Sequence, residues 1–159
     1  MWLPVAILIF SLYQPSLAKD LYCDEQSKKR DICICKVSYL HPTQVSVGMA
    51  EVRIKADKLK GEFQRRSQSD FLNYLRKHNK VEPVTIGPQG IFYITDHHHP
   101  ARALFDVGVS NTYCTIIDNL SHTKPDDFWK QLEANNKVYL KDRNGNSITP
   151  HDLPTSVRI

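Results

Sequence analysis

FYITDHHHPARAL, residues 92–104, sets three consecutive histidines between an apolar, β-branched run and a proline-led segment with helical spacing. Phe92 to Thr95 reads as the end of a strand. Pro100 suits the first turn of a helix, because its missing N–H would find no intrahelical partner there, and Gly108 suits the stop. Asp96 to His99 then forms a strand-to-helix turn, where free backbone N–H groups and the positive end of the helix dipole favour an anion. Arg102 would add a forked donor for phosphate, and Asp96 would orient a neighbouring imidazole through one ring nitrogen. Histidine is also the natural proton carrier near neutral pH. Consecutive side chains splay apart, whereas metal-binding histidines more often stand at i, i+2 on a strand or i, i+4 on a helix. The turn is therefore read first as a phosphate or nucleotide site. A metal held by His97 and His99, and a purely structural turn, are the alternatives.

Working outward, Val81–Ile86 and Ile91–Thr95 flank Gly87-Pro88-Gln89-Gly90, a hairpin signal between two β-rich runs. Further upstream, Ile34–Leu40 reads as one strand ended by His41-Pro42-Thr43. Residues 48–60 carry helical apolar spacing through Met49, Val52, Ala56 and Leu59, with Gly61 weakening the continuation. Ser69 is a candidate N-cap for a helix over Phe71–His78 that buries Phe71, Leu72 and Leu75. Downstream, Thr112–Ile117 is a strand, and Thr123-Lys124-Pro125-Asp126 announces a helix with Phe128, Trp129 and Leu132 facing inward. Val138–Leu140 and Ser147–Thr149 enclose Asn144-Gly145, a hairpin turn signal. No internal repeat or low-complexity linker interrupts this order, and 159 residues with 41% hydrophobic content suit one core rather than two. The expected class is a single α/β (α+β) domain.

Trp2 to Leu12 is almost wholly apolar, and Ser16-Leu17-Ala18 places small residues where a signal peptidase reads them. Residues 1–18 are thus expected to be a secretory signal, giving a secreted or periplasmic mature chain without a transmembrane span, with an uncleaved anchor as the alternative because no Lys or Arg precedes the apolar run. Export makes disulfides the default for Cys23, Cys33, Cys35 and Cys114. A bond between Cys33 and Cys35 is disfavoured by geometry, which leaves Cys23 paired with either and Cys114 with the other. Their spacing matches no closed zinc pattern.

The net charge of +4 lies outside residues 1–18, which hold no charged side chain. Basic residues gather at Lys28-Lys29-Arg30 and at Lys55, Lys58, Lys60, Arg65 and Arg66, but Glu51, Asp57 and Glu62 interleave the second group. Most of these charges read as a solvated helical face, and no strong basic stripe for nucleic acid stands out.

Three stretches together, SYLHPTQVSVGMAEVRIK (38–55), PVTIGPQGIFYITDHHHPARAL (83–104) and VYLKDRNGNSITPHDLP (138–154), resemble the ParB-like nuclease family of the ParB/sulfiredoxin superfamily. The likeness is carried by Pro42-Thr43-Gln44 with Gly48, Glu51 and Lys55, and by Asp96-His97-His98-His99 followed by Arg102-Ala103-Leu104. It implies one compact domain over 37–159, with a small mixed sheet and flanking helices, after a cysteine-bearing segment 19–36. The superfamily binds phosphates at this turn and includes partition proteins, sulfiredoxins and a nucleotide-dependent small-molecule kinase. Partition proteins carry a Gly-x-Arg-Arg type turn, whereas here His97 stands near the Gly position and His99 near an Arg position. No helix-turn-helix pattern follows, so specific DNA binding is not expected. Sulfiredoxin chemistry needs a cysteine in the turn, and this turn has none.

The resulting expectation is a phosphate-bearing small molecule or nucleotide held by Lys55, His97, His98, His99 and Arg102, with Asp96 and Gln44 as orienting residues. In the enzymatic version Glu51 is a general base and His98 and His99 take part in phosphoryl transfer or phosphodiester hydrolysis, with a nucleotide and Mg²⁺ as candidate cofactors. The non-catalytic version is an exported binding module that keeps the turn and uses its basic face to meet a partner.

Overall fold

The computed structural model describes residues 22–159. The expected signal segment, 1–18, lies outside the described residues. Five strands, β1 (Ile32–Lys36), β2 (Leu40–Pro42), β3 (Glu82–Ile86), β4 (Phe92–Ile94) and β5 (Asn111–Asn119), form one sheet in the order β1-β5-β3-β4-β2. It is mixed: β1 with β5 and β3 with β4 run antiparallel, while β3 with β5 and β2 with β4 run parallel. Four α-helices accompany it, α1 (Met49–Gln64), α2 (Gln68–Lys77), α3 (His98–Val107) and α4 (Pro125–Ala134). This is the α/β class expected, a single domain with a small mixed sheet. Among the described residues no helix is long and apolar enough to cross a membrane.

The single strand expected over Ile34–Leu40 is instead two. A 3-10 turn at Val37–Tyr39 breaks it and carries the chain from one edge of the sheet to the other. Val37 and Leu40 are both buried while Ser38 and Tyr39 face solvent, a spacing of three that a continuous two-residue alternation cannot satisfy. The cysteine-bearing segment supplies β1. The cysteines pair as Cys23–Cys33 and Cys35–Cys114, one of the two arrangements left open by the sequence.

α1 runs beyond Gly61 to Gln64. That glycine sits with open space where a Cβ would be, so it costs helix propensity without disturbing packing. The last turn is held by Glu62, which pairs with both Arg65 and Arg66, and by Phe63 edge-on to Phe71 with centroids 5.0 Å apart. α2 is capped by Ser67 rather than Ser69: the Ser67 hydroxyl accepts the Asp70 N–H at 3.1 Å and donates to the Asp70 carboxylate at 2.7 Å. Ser69 has no acidic residue three positions on to return the bond. Phe71 and Leu75 are buried as expected, and Leu72 is half-buried.

The hairpin of β3 and β4 is present, turned by a 3-10 segment at Pro88–Gly90. Gly87 there lies against aromatic rings, because an added Cβ would meet Tyr93 Cε2 at 2.6 Å and Phe128 Cζ at 2.9 Å. Tyr93, Phe128 and Trp129 pack ring on ring with centroids 4.9–5.2 Å apart. Gly87→Ala is therefore expected to destabilise by roughly 1 to 2 kcal/mol through overpacking, read as a lower midpoint in urea unfolding. Phe128 and Leu132 of α4 are buried as expected, whereas Trp129 is half-buried. The second hairpin does not form as strands. Asn144-Gly145 makes its turn, but only one isolated bridge, Lys141 to Ser147, follows, and Asp142 ties the loop by accepting the N–H groups of Asn144 and Asn146, each at 2.8 Å.

Candidate functional site

The turn after β4 is a strand-to-helix corner, and α3 starts at His98, so Pro100 is its third residue, within the first turn as expected. His97 is the N-cap, in left-handed backbone with φ 60°, and Gly108 closes the helix in the same region with φ 84°. Left-handed backbone at a residue with a Cβ is uncommon and marks the turn as locally strained. The Asp96 carboxylate steadies it by accepting the His97 N–H at 2.7 Å.

The three histidines separate into three environments. His98 turns inward and is buried; its Nε2 accepts the Thr43 N–H at 3.1 Å, while the Thr43 hydroxyl donates to the Ile94 carbonyl at 2.9 Å. Burial holds the His98 imidazole down at about 4, so it is neutral at physiological pH. His99 reaches the start of α1, where its Nε2 accepts the Gly48 N–H at 3.1 Å and stands 3.5 Å from Glu51 Oε2. His97 faces the other way, toward β3, with Nδ1 3.8 Å from Glu82 Oε2. The Pro42-Thr43-Gln44 and Gly48 motifs thus serve as docking points for two imidazoles.

These groups open onto a cavity of about 610 Å³. Gln44, Glu51, Lys55, Asp96, His97, His98 and His99 all line it, joined by Lys58, His78, Lys80 and Glu82. Glu51 and Lys55 pair across one helical turn at 3.2 Å. Gln44 is anchored by its own amide, which donates to the Ser46 carbonyl at 2.8 Å. Arg102 is not among the lining residues; its guanidinium pairs with Asp106 at 2.8 Å and donates to the Ile159 carbonyl.

Glu82 was not singled out from sequence. It sits on β3 as a buried carboxyl, 2% exposed, and burial pushes it from an ordinary 4.5 up to about 8, with Asp96 adding to the effect and Lys55 and Lys80 opposing it. The available signal was its register: Glu82, Val84 and Ile86 alternate on one face, and the other two belong to the core. The wall therefore carries three lysines, Lys55, Lys58 and Lys80, beside three carboxyls, of which burial keeps Glu82 protonated at neutral pH. Among the described residues no group of three or more His, Cys, Asp or Glu side chains is placed to hold a metal ion.

Comparison with known proteins gives two findings. A family described as "Putative ParB-like nuclease" matches residues 33–159. The crystal structure of protein Atu1540 from Agrobacterium tumefaciens superposes with a TM-score of 0.67 at 29% sequence identity, covering 81% of this chain and 60% of that one. The chain thus spans less than two thirds of the length of that structure. No curated protein matches the chain.

Proposed function

The chain belongs to the ParB-like nuclease family, and from that premise we propose that its cavity binds a phosphate-bearing small molecule or nucleotide and acts on the phosphoryl group. The observation that carries this reading is convergence. Lys55 and Lys58 from α1, Lys80 from the segment before β3 and the histidine turn at the N-terminus of α3 meet on one cavity, where burial keeps the Glu82 carboxyl protonated. Charge of this kind, at the positive end of the α3 dipole, suits an anion of high charge density.

Within that reading Lys55, Lys58, Lys80, His97 and His99 hold the anion. His98 fixes the turn to Thr43, and Asp96 orients the backbone of His97. Glu51 is the base for an attacking hydroxyl or water, since its carboxylate stands on the cavity wall between Lys55 and His99. A nucleoside phosphate would bring Mg²⁺ on its own oxygens. The apolar N-terminus and the two disulfides support action outside the cytoplasm.

The test is calorimetry and thermal unfolding of the oxidised protein with pyrophosphate and with nucleoside mono-, di- and triphosphates, each with and without Mg²⁺. A true ligand at one hundred times its dissociation constant should add about 2.7 kcal/mol to the unfolding free energy. Lys55→Ala combined with Lys58→Ala should abolish most of that gain. Where turnover accompanies binding, Glu51→Gln should lower kcat by about a hundredfold or more while leaving affinity nearly unchanged. Absence of stabilisation by every one of these compounds would remove the reading.

A further inference from the structure

The anion reading leaves Glu82 without a task. Its Oε2 is buried and has no hydrogen-bond partner among the described residues, although its side chain lines the cavity. A buried polar atom in that state is costly, and in native proteins it calls for an explanation. His97 Nδ1 stands 3.8 Å away, on a side chain that is nearly half exposed at the cavity wall. The imidazole thus lies between the buried carboxyl and the space where an anion would dock.

The charged and titratable groups around Glu82 come from every side of the cavity. Asp96 in the turn disfavours its ionisation, while Lys55 from α1 and Lys80 from the segment before β3 favour it, and His98 and His99 follow His97 into α3. Burial outweighs the lysines, so the proton resides on Glu82 at neutral pH.

We infer that Glu82 and His97 form a proton-transfer pair: docking of a phosphate-type anion closes the 3.8 Å gap between His97 Nδ1 and Glu82 Oε2 to a hydrogen bond and moves the carboxyl proton across it. The Oε2–H bond of Glu82 breaks and its electron pair stays on the carboxylate. The proton bonds to the lone pair of His97 Nδ1, in the tautomer that carries hydrogen on Nε2. An imidazolium then faces the anion, with the new carboxylate behind it, so each charge gains an opposite neighbour. Glu82 is a positioning residue in this scheme: it acts through His97 and need not touch the anion. The inference rests on the anion reading but adds a distinct claim, namely that binding relocates a proton already inside the protein.

Sulfate is the probe, because it stays a dianion throughout the neutral and alkaline range and cannot supply the proton itself. Infrared difference spectra of wild type against Glu82→Gln should show a carboxylic-acid C=O band at pH 7 that sulfate bleaches. Sulfate affinity at pH 7.5 should fall tenfold or more in Glu82→Gln, whose amide has the right size but no proton to give. His97→Asn, chosen because asparagine tolerates left-handed backbone, should retain the carboxylic-acid band when sulfate is added. Should Glu82→Gln fail to fold, the His97→Asn band decides alone. Sulfate binding without bleaching would overturn the proton transfer and leave the anion pocket standing. A wild-type protein that binds neither sulfate nor pyrophosphate would overturn both.

Discussion

Replacing Cys35 and Cys114 together by alanine is expected to lower the unfolding free energy by about 4 to 5 kcal/mol, against about 3 kcal/mol for Cys23 and Cys33. The difference follows from loop length, since the bridges close loops with sequence separations of 79 and 10 residues. In the chain-entropy account the longer loop removes more freedom from the unfolded chain, by about 2 kcal/mol between these two. Packing acts in the same direction, because Cys114 is fully buried on the interior strand β5 and Cys35 is 4% exposed. Urea unfolding of the two double variants gives both numbers, and equal losses would sink the loop-length explanation. Peptide mapping of the unreduced protein checks the pairing itself. That check matters because the four sulfurs are crowded: Cys35 Sγ lies 3.4 Å from Cys23 Sγ, and Cys33, not Cys35, stands opposite Cys114 in the sheet register.

What could be read from sequence was what short-range chemistry determines. The turn between β3 and β4 announces itself through Gly87-Pro88 and Gly90, and Gly108 ends α3 in the left-handed backbone that glycine adopts at little cost. The histidine turn was legible for the same reason, since strand, turn and helix are contiguous there. The cavity was less so, because its wall is assembled from α1, the segment before β3 and the α3 turn, which meet only once the chain is folded. Lys58 and Lys80 look like ordinary surface lysines until that happens. Arg102 shows the opposite effect. It is close in sequence to the histidines, yet Asp106 one turn on and the Ile159 carbonyl, 57 residues away, engage its guanidinium. The break at Val37 and the cap at Ser67 were missed where two local signals competed, alternation against a three-residue burial step and one serine against another.

The wild-type protein is expected to lose about 2 kcal/mol of stability between pH 6.5 and 9.5, and Glu82→Gln to lose little over the same range. Burial first, and then Asp96, raise the Glu82 carboxyl from 4.5 to about 8 in the folded state. Between those values the folded protein holds a proton that the unfolded chain has released, so stability falls as pH rises and levels off above about 8. His98 works in the other direction. Burial lowers it from 6.5 to about 4, so the unfolded chain binds the extra proton in that window and stability falls as pH drops through it. The two windows overlap only between 4.5 and 6.5, where they oppose each other, and above 6.5 the slope belongs to Glu82. Urea unfolding of both proteins at half-unit steps of pH separates the contributions: between pH 4.5 and 6.5 Glu82→Gln should lose stability toward acid while the two slopes largely cancel in the wild type, and above pH 6.5 only the wild type should fall. Parallel curves above pH 6.5 would mean that the Glu82 carboxyl is already ionised in the folded protein, a buried negative charge on the cavity wall.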